Sequence, residues 1–198
     1  MIQLTATLSP VTIEEAKVQC KLDETDSSED SLLNGLLISA TRFCENRTHR
    51  ALMQSDWLWS GKEFPKRLDR DGCFRLPMAP LVAVSSVKYW NGTLQTLAPS
   101  EYIVDTNNIP GRIYFKSYPS IDDRPDAVQI TFTAGYGAAG AQESQEREAV
   151  PQDIKSCILM IVATLYENRQ TMNQSGNITD DKIQQWVDGQ LSHYFLPF

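Results

Sequence analysis

Histidine is almost missing from this sequence: His49 and His193 are the only two in 198 residues. Neither sits in a nucleophile context, so no Ser-His-Asp arrangement can be built around them. Cysteine is scarce too, and Cys20, Cys44, Cys73 and Cys157 show no C-x-x-C spacing. Four scattered thiols and two histidines exclude the usual zinc ligand patterns and fit reduced thiols in a cytoplasm. Nowhere is there an apolar run long enough to cross a bilayer. The opening Met-Ile-Gln-Leu-Thr lacks the charged start and apolar stretch of a secretory signal, so neither signal peptide nor membrane span is expected. Positive charge is in deficit: 18 basic against 25 acidic residues give a net charge of −7. That balance argues against nonspecific binding of duplex DNA by the isolated chain.

The most patterned stretch runs from Phe132 to Arg169. Ala127 to Thr133 alternates, with Val128, Ile130 and Phe132 on one face, as a half-buried strand does. Gly135 and Gly137 then break the strand with backbone that glycine adopts cheaply. Pro151 suits the first turn of a helix, where its missing N–H goes unneeded. Beyond it Ile154, Cys157, Ile158, Ile161, Val162 and Leu165 recur at helical spacing, while Leu159, Met160, Ala163 and Tyr166 make the opposite side apolar as well. Such a helix is either central to a core or covered by another subunit. Cys157, on the stripe, reads as a small core residue.

Gly135-Tyr136-Gly137-Ala138-Ala139-Gly140 matches the G-x-G-x-x-G pattern after a strand. A dinucleotide site also needs a helix opening at the third glycine, with its N-terminus on the pyrophosphate. Gln142 to Glu148 is instead polar, carries three glutamates that would repel phosphate, and has no apolar stripe. The expected structure is a small-residue strand exit and a flexible loop.

Thr12-Ile13-Glu14-Glu15 forms a capping box, which predicts a first helix to about Leu22. A polar break follows, then a second helix over 29–46 carrying Leu33, Leu36, Leu37, Ala40 and Cys44, so the two read as an αα-hairpin. Between 53 and 133 the chain turns to short runs rich in β-branched and aromatic residues, separated by Gly, Pro, Asn and Asp. Trp90-Asn91-Gly92-Thr93 is the strongest hairpin signal, of the type that places both central residues at positive φ. Pro77, Pro80 and Pro110 keep strands short or at edges. The prediction is an α+β fold: helices 12–22, 29–46 and 152–169 form the core of one domain over residues 1–170, with the β-rich segment inserted. Residues 171–178 read as a polar linker and 179–198 as a terminal helix and arm.

Few residues offer chemistry. Asp122, Asp123 and Asp126 have the donor type for a metal or for acid–base work, yet Ser-Ile-Asp-Asp-Arg-Pro has the composition of a surface turn. Asp180-Asp181 suits the first turn of a helix. Residues 42–75 hold Arg42, Arg47, Arg50, Lys62, Lys66, Arg67, Arg70 and Arg75 against five acids, a solvated face or a contact patch. Glu167 and Arg169 suit an exposed pair or a subunit anchor. Trp57, Trp59, Trp90 and Trp186 more often fill cores or interfaces than stack bases. No cofactor and no catalytic residue is assigned.

Taken in order, Asp30 to Thr48, Leu76 to Leu81 with Val84 to Tyr89, Phe132 to Gly137, and Val150 through Arg169 resemble the head–tail connector (adaptor) proteins of long-tailed bacteriophages, some of which are labelled possible DNA-packaging proteins. The likeness covers most of residues 10–170. It implies a non-enzymatic structural protein of the virion head–tail junction, assembled in the host cytoplasm of a phage or prophage. It further implies a homo-oligomeric ring of about twelve copies that docks beneath the portal protein. There it receives a tail-side connector or stopper, and DNA passes through without sequence-specific binding. The alternatives from other classes are a metal-dependent nucleic-acid-processing enzyme using Asp122, Asp123 and Asp126, and a small cytoplasmic ligand-binding module at Gly135–Gly140. For the connector reading the expected interface comprises Ile183, Trp186, Val187, Leu191, Tyr194, Phe195, Glu167 and Arg169. The terminal helix is then expected to add little to the subunit's own core, so that deleting 176–198 would shift the melting temperature by only a few degrees.

Overall fold

The computed structural model describes residues 1–65, 72–168 and 180–196, the side chains of 180–184 excepted. The capping box of Thr12 is formed: its hydroxyl accepts from Glu15 N–H at 3.2 Å, and Glu15 Oε2 accepts from Thr12 N–H at 2.8 Å. Helix α1 (Ile13–Gln19) starts there and stops before Leu22, because Lys21 turns left-handed at φ 57°. Helix α2 (Asp30–Thr48) ends the same way at His49, φ 54°. A short helix α3 (Glu143–Ala149) precedes α4 (Gln152–Glu167), and α5 (Asp180–Leu191) closes the chain with a 3-10 turn, Ser192–Tyr194. Pro151 caps α4 rather than lying inside it.

Among the described residues seven strands lie between α2 and α3, β2 (Ser55–Gly61), β3 (Phe74–Arg75), β4 (Leu81–Asn91), β5 (Thr93–Thr96), β6 (Tyr102–Asp105), β7 (Arg112–Phe115) and β8 (Val128–Ala134); β1 (Ile2–Gln3) comes before α1. They form a five-stranded sheet in the order β1-β2-β8-β4-β5 and a three-stranded sheet β3-β7-β6, every neighbouring pair antiparallel. The α+β fold is therefore the one expected. Strand β8 is the middle strand, and its alternation is complete: Val128, Ile130, Phe132 and Ala134 are buried and the residues between are half-buried. The β4–β5 hairpin sits where Asn91-Gly92 predicts, but its register pairs Asn91 with Thr93 around Gly92. Only Gly92 has positive φ, 69°, so the two-residue turn with both centres positive is not the one used.

Burial divides into two clusters. Leu33, Leu37, Ala40 and Cys44 of α2 meet Ile154, Cys157, Ile158, Ile161 and Val162 of α4, with Val11 and Ala16 beside them. The apolar central helix is thus core on its main stripe, while Met160 on its far side is 45% exposed. Cys44 and Cys157 share a hydrogen bond across the helix pair, and that bond with burial keeps the Cys44 thiol protonated. The second cluster is the inner sheet face, including Trp57, Val87, Ile113, Phe115, Ile130 and Phe132. Among the described residues no single helix is long and apolar enough to cross a membrane.

Glu45 lies in the helical layer, buried, where its Oε1 accepts from Leu52 N–H at 2.9 Å. Burial pushes its pKa up to about 7, against the opposing effects of that hydrogen bond and of Arg42. The folded state thus holds a proton that the unfolded chain gives up near its ordinary value of 4.5. The contribution is full below that value and is lost as pH rises through about 7. Glu45→Gln keeps the acceptor and cannot ionise. Urea unfolding at pH 5 and pH 8 should show the natural chain losing on the order of 2 kcal/mol more than this variant.

Candidate functional site: the terminal helix and its seat

Helix α5 is described from Asp180 onward, with Asp180 and Asp181 in its first described turn. Val187 and Leu191 are fully buried in the cluster formed by α2 and α4. This corrects the expectation that the terminal helix adds little to its own subunit: two of the four residues on its apolar face belong to the chain's own core. The reason is hydrophobic. An amphipathic helix that reaches the exposed side of the α2–α4 pair buries its stripe there.

Polar contacts fix the seat. Asp188 and Arg47 form a two-pronged ion pair, with Nε to Oδ1 at 2.5 Å, and the guanidinium holds the Asp188 carboxyl below its usual range. Arg50 donates from Nε to the Tyr194 carbonyl at 3.0 Å, and its guanidinium lies 5.5 Å from the centre of that ring. Tyr194 donates its hydroxyl to Asp153 at 2.9 Å, and His193 Nε2 is 3.2 Å from the same carboxylate. Desolvation first, then Asp153, push the Tyr194 phenol up to about 12. Tyr194 is therefore tied to its own chain. Trp186 and Phe195 remain 39% and 37% exposed, and Glu167 is exposed. Arg169 and the side chain of Ile183 lie outside the described residues.

Asp153, Gln54 and Glu146 escaped the sequence reading, and Arg50 entered it only as one cation of the basic stretch. The segment from Gln142 is not the expected loop but α3, whose Gln142–Gln145 pair closes a capping box without an apolar stripe to announce it. Glu146 of α3 is buried and accepts from Gln54 N–H at 3.1 Å. Gln54 in turn donates from Nε2 to the Ala138 carbonyl at 2.7 Å. The Gly135–Gly140 stretch is thus the wall of a joint between sheet and helices.

The described cations Arg42, Arg47, Arg50 and Lys62 of the basic stretch bond within the chain. Besides Arg47 and Arg50, Arg42 donates to the Thr7 hydroxyl at 3.2 Å and Lys62 pairs with Asp123 at 2.7 Å. Lys66, Arg67 and Arg70 lie outside the described residues. The three turn aspartates separate. Asp122 accepts from Gly92 N–H at 2.9 Å, Asp123 pairs with Lys62, and Asp126 takes Arg124 at 2.6 Å, with Arg124 stacked 3.9 Å over Trp90. Among the described residues no three metal-binding side chains converge. Asp123→Ala should leave the melting temperature unchanged within about 2 °C, since both partners are solvated. Asp122→Ala, which frees the Gly92 N–H of the hairpin, should lower it by a few degrees. Differential scanning calorimetry of the two variants checks both.

No protein-family model and no curated protein matches the sequence. Solved structures do match. A chain described as "Neck of empty GTA particle computed with C6 symmetry", GTA denoting a gene transfer agent, superposes at a TM-score of 0.74 with 20% identity, covering 100% of this chain and 97% of that one. The fold is that of a gene transfer agent neck chain. A chain of the "Virion of native gene transfer agent (GTA) particle" gives 0.72 at 18% identity, again over 100% and 97%. One from the "Neck of native GTA particle computed with C12 symmetry" gives 0.66 at 19%, with the same coverage. The neck fold extends over the whole chain, α5 included, so the terminal helix is not an appendage foreign to it.

Proposed function

We propose that this chain is a non-enzymatic structural component of the neck of a phage-like particle. It would act as a head–tail connector that assembles into a ring of about twelve copies. The observation that carries the reading is the end-to-end likeness, a TM-score of 0.74 over 100% of this chain and 97% of a neck chain. A likeness confined to one layer would support only a shared motif. One spanning both sheets and the helices α1 to α5 supports a shared role. In this reading the ring docks under the portal protein, receives a tail-side stopper, and resides in the virion after assembly in the host cytoplasm. The net charge of −7 suits a conduit through which DNA moves without sequence-specific binding. Among the described residues of the expected interface, Trp186, Phe195 and Glu167 are exposed and available to a neighbour or partner.

Native mass spectrometry of the full chain over a concentration series, followed by negative-stain imaging, tests this. Closed rings are the expected result. A chain that stays monomeric throughout, or that cuts DNA with magnesium, would overturn it.

A further inference from the structure

Resting on the ring reading, we propose that copies join edge to edge, with β5 of one copy pairing beside β1 of the next. The five-stranded sheet would then continue from subunit to subunit. The two strands are the outer members of that sheet, and among the described residues neither has a strand paired to its outer side. Leu4 N–H bonds the Asp56 carbonyl at 2.7 Å, which sets the phase of the β1–β2 pair. Ile2 and Leu4 therefore face β2, and Gln3 turns its N–H and C=O outward. At the other edge Leu97 N–H bonds the Val87 carbonyl at 2.8 Å. By the same alternation Leu94 and Thr96 direct their backbone groups away from β4.

Among the described residues both edges lack the usual protection. Free strands are normally guarded by charge, proline, a bulge or a covering element. All residues of β5 are exposed, and Ile2 and Leu4 stand 62% and 53% exposed beside β1. Neither Met1-Ile2-Gln3-Leu4-Thr5 nor Thr93-Leu94-Gln95-Thr96 contains a charged side chain or a proline, in a chain where 22% of residues are Asp, Glu, Lys or Arg. The register shifts of this sheet lie inside, between β4 and β8.

Direction selects the occupant. Four antiparallel steps separate β1 from β5, so the two edges run parallel to each other. A ring of about twelve copies turns each subunit by about 30°, and strand direction is carried across the joint, giving a parallel pair. Five strands at about 4.8 Å span about 24 Å, and twelve such sheets close at a diameter of about 90 Å. That leaves room for a helical layer and a duplex. A second copy therefore fits both edges at once, whereas an unrelated strand would satisfy one.

The test uses the full chain. The natural chain in native mass spectrometry and negative stain decides the ring reading by itself. Gln3→Pro and Thr96→Pro each delete one outward donor without touching the inner ladder, and Leu94→Lys and Gln3→Lys place charge on the edge without altering the backbone. Each variant should melt within a few degrees of the natural chain, yet need at least about tenfold higher concentration to form rings. If a proline variant misfolds, the lysine variants decide. Folded edge variants that assemble at the natural concentration overturn the strand joint and leave the ring standing. A natural chain that never assembles overturns both.

Discussion

Gly135→Ala should destabilise the chain by about 3–5 kcal/mol, enough to threaten folding at physiological temperature. Gly135 has φ 149°, and a Cβ there would lie 2.5 Å from the Gln54 Cα and 2.6 Å from the Met53 carbonyl carbon. Those are backbone atoms, so the clash cannot be relieved by turning a side chain. Moving the backbone at Gln54 also disturbs its N–H bond to Glu146, at 3.1 Å, and its side-chain bond to Ala138. Gly140, at φ 73° with nothing within 4 Å, is the control. Gly140→Ala should cost about 1 kcal/mol through backbone conformation alone. Chemical denaturation of both variants separates close approach from glycine flexibility. Equal losses at the two positions would remove the close-approach account.

Leu191→Ala should cost about 2–5 kcal/mol of subunit stability, the range for emptying a fully buried leucine site. Trp186→Ala, at a position left 39% exposed, should change subunit stability little and act, if anywhere, on assembly. Deleting 176–198 should then lower the melting temperature substantially. The deletion removes Val187 and Leu191 from the helical core together with the Tyr194–Asp153 and Arg50–Tyr194 bonds. This reverses the outcome expected from the sequence alone. Unfolding curves of the three proteins, taken below the concentration at which any assembly occurs, check it. A truncated chain that melts with the full one would return the helix to the interface.

The contrast between these two sites shows where sequence was legible. At β8, alternation alone identified Val128, Ile130 and Phe132 as inward-facing, because a strand's side-chain period is two and a buried face selects apolar residues at that period. At α4 the helical stripe identified Ile154, Cys157, Ile158, Ile161 and Val162 for the equivalent reason. The capping box at Thr12 was legible because its partners are three residues apart. Helix α3 was not, since a seven-residue helix with a single buried side chain, Glu146, carries no periodic apolar signal. Nor could the destination of the α5 stripe be read. Amphipathicity states that Val187 and Leu191 are to be covered, not whether the cover belongs to the same chain.

Local pattern thus determined most of the helices and strands, α3 excepted, where the main turns fell, and that the class is α+β. Tertiary structure decided what those elements do to one another. It brought Gln54 to Glu146, 92 residues away, and made Gly135 a point of backbone contact. It spent Arg47 on Asp188 and Arg50 on Tyr194, 141 and 144 residues distant, so that a basic stretch became internal fastening. It also placed β1 and β5 at opposite edges of one sheet. The physical reason is range: propensity and periodicity act over a few residues, whereas pairing and burial depend on which surfaces meet after the chain has closed.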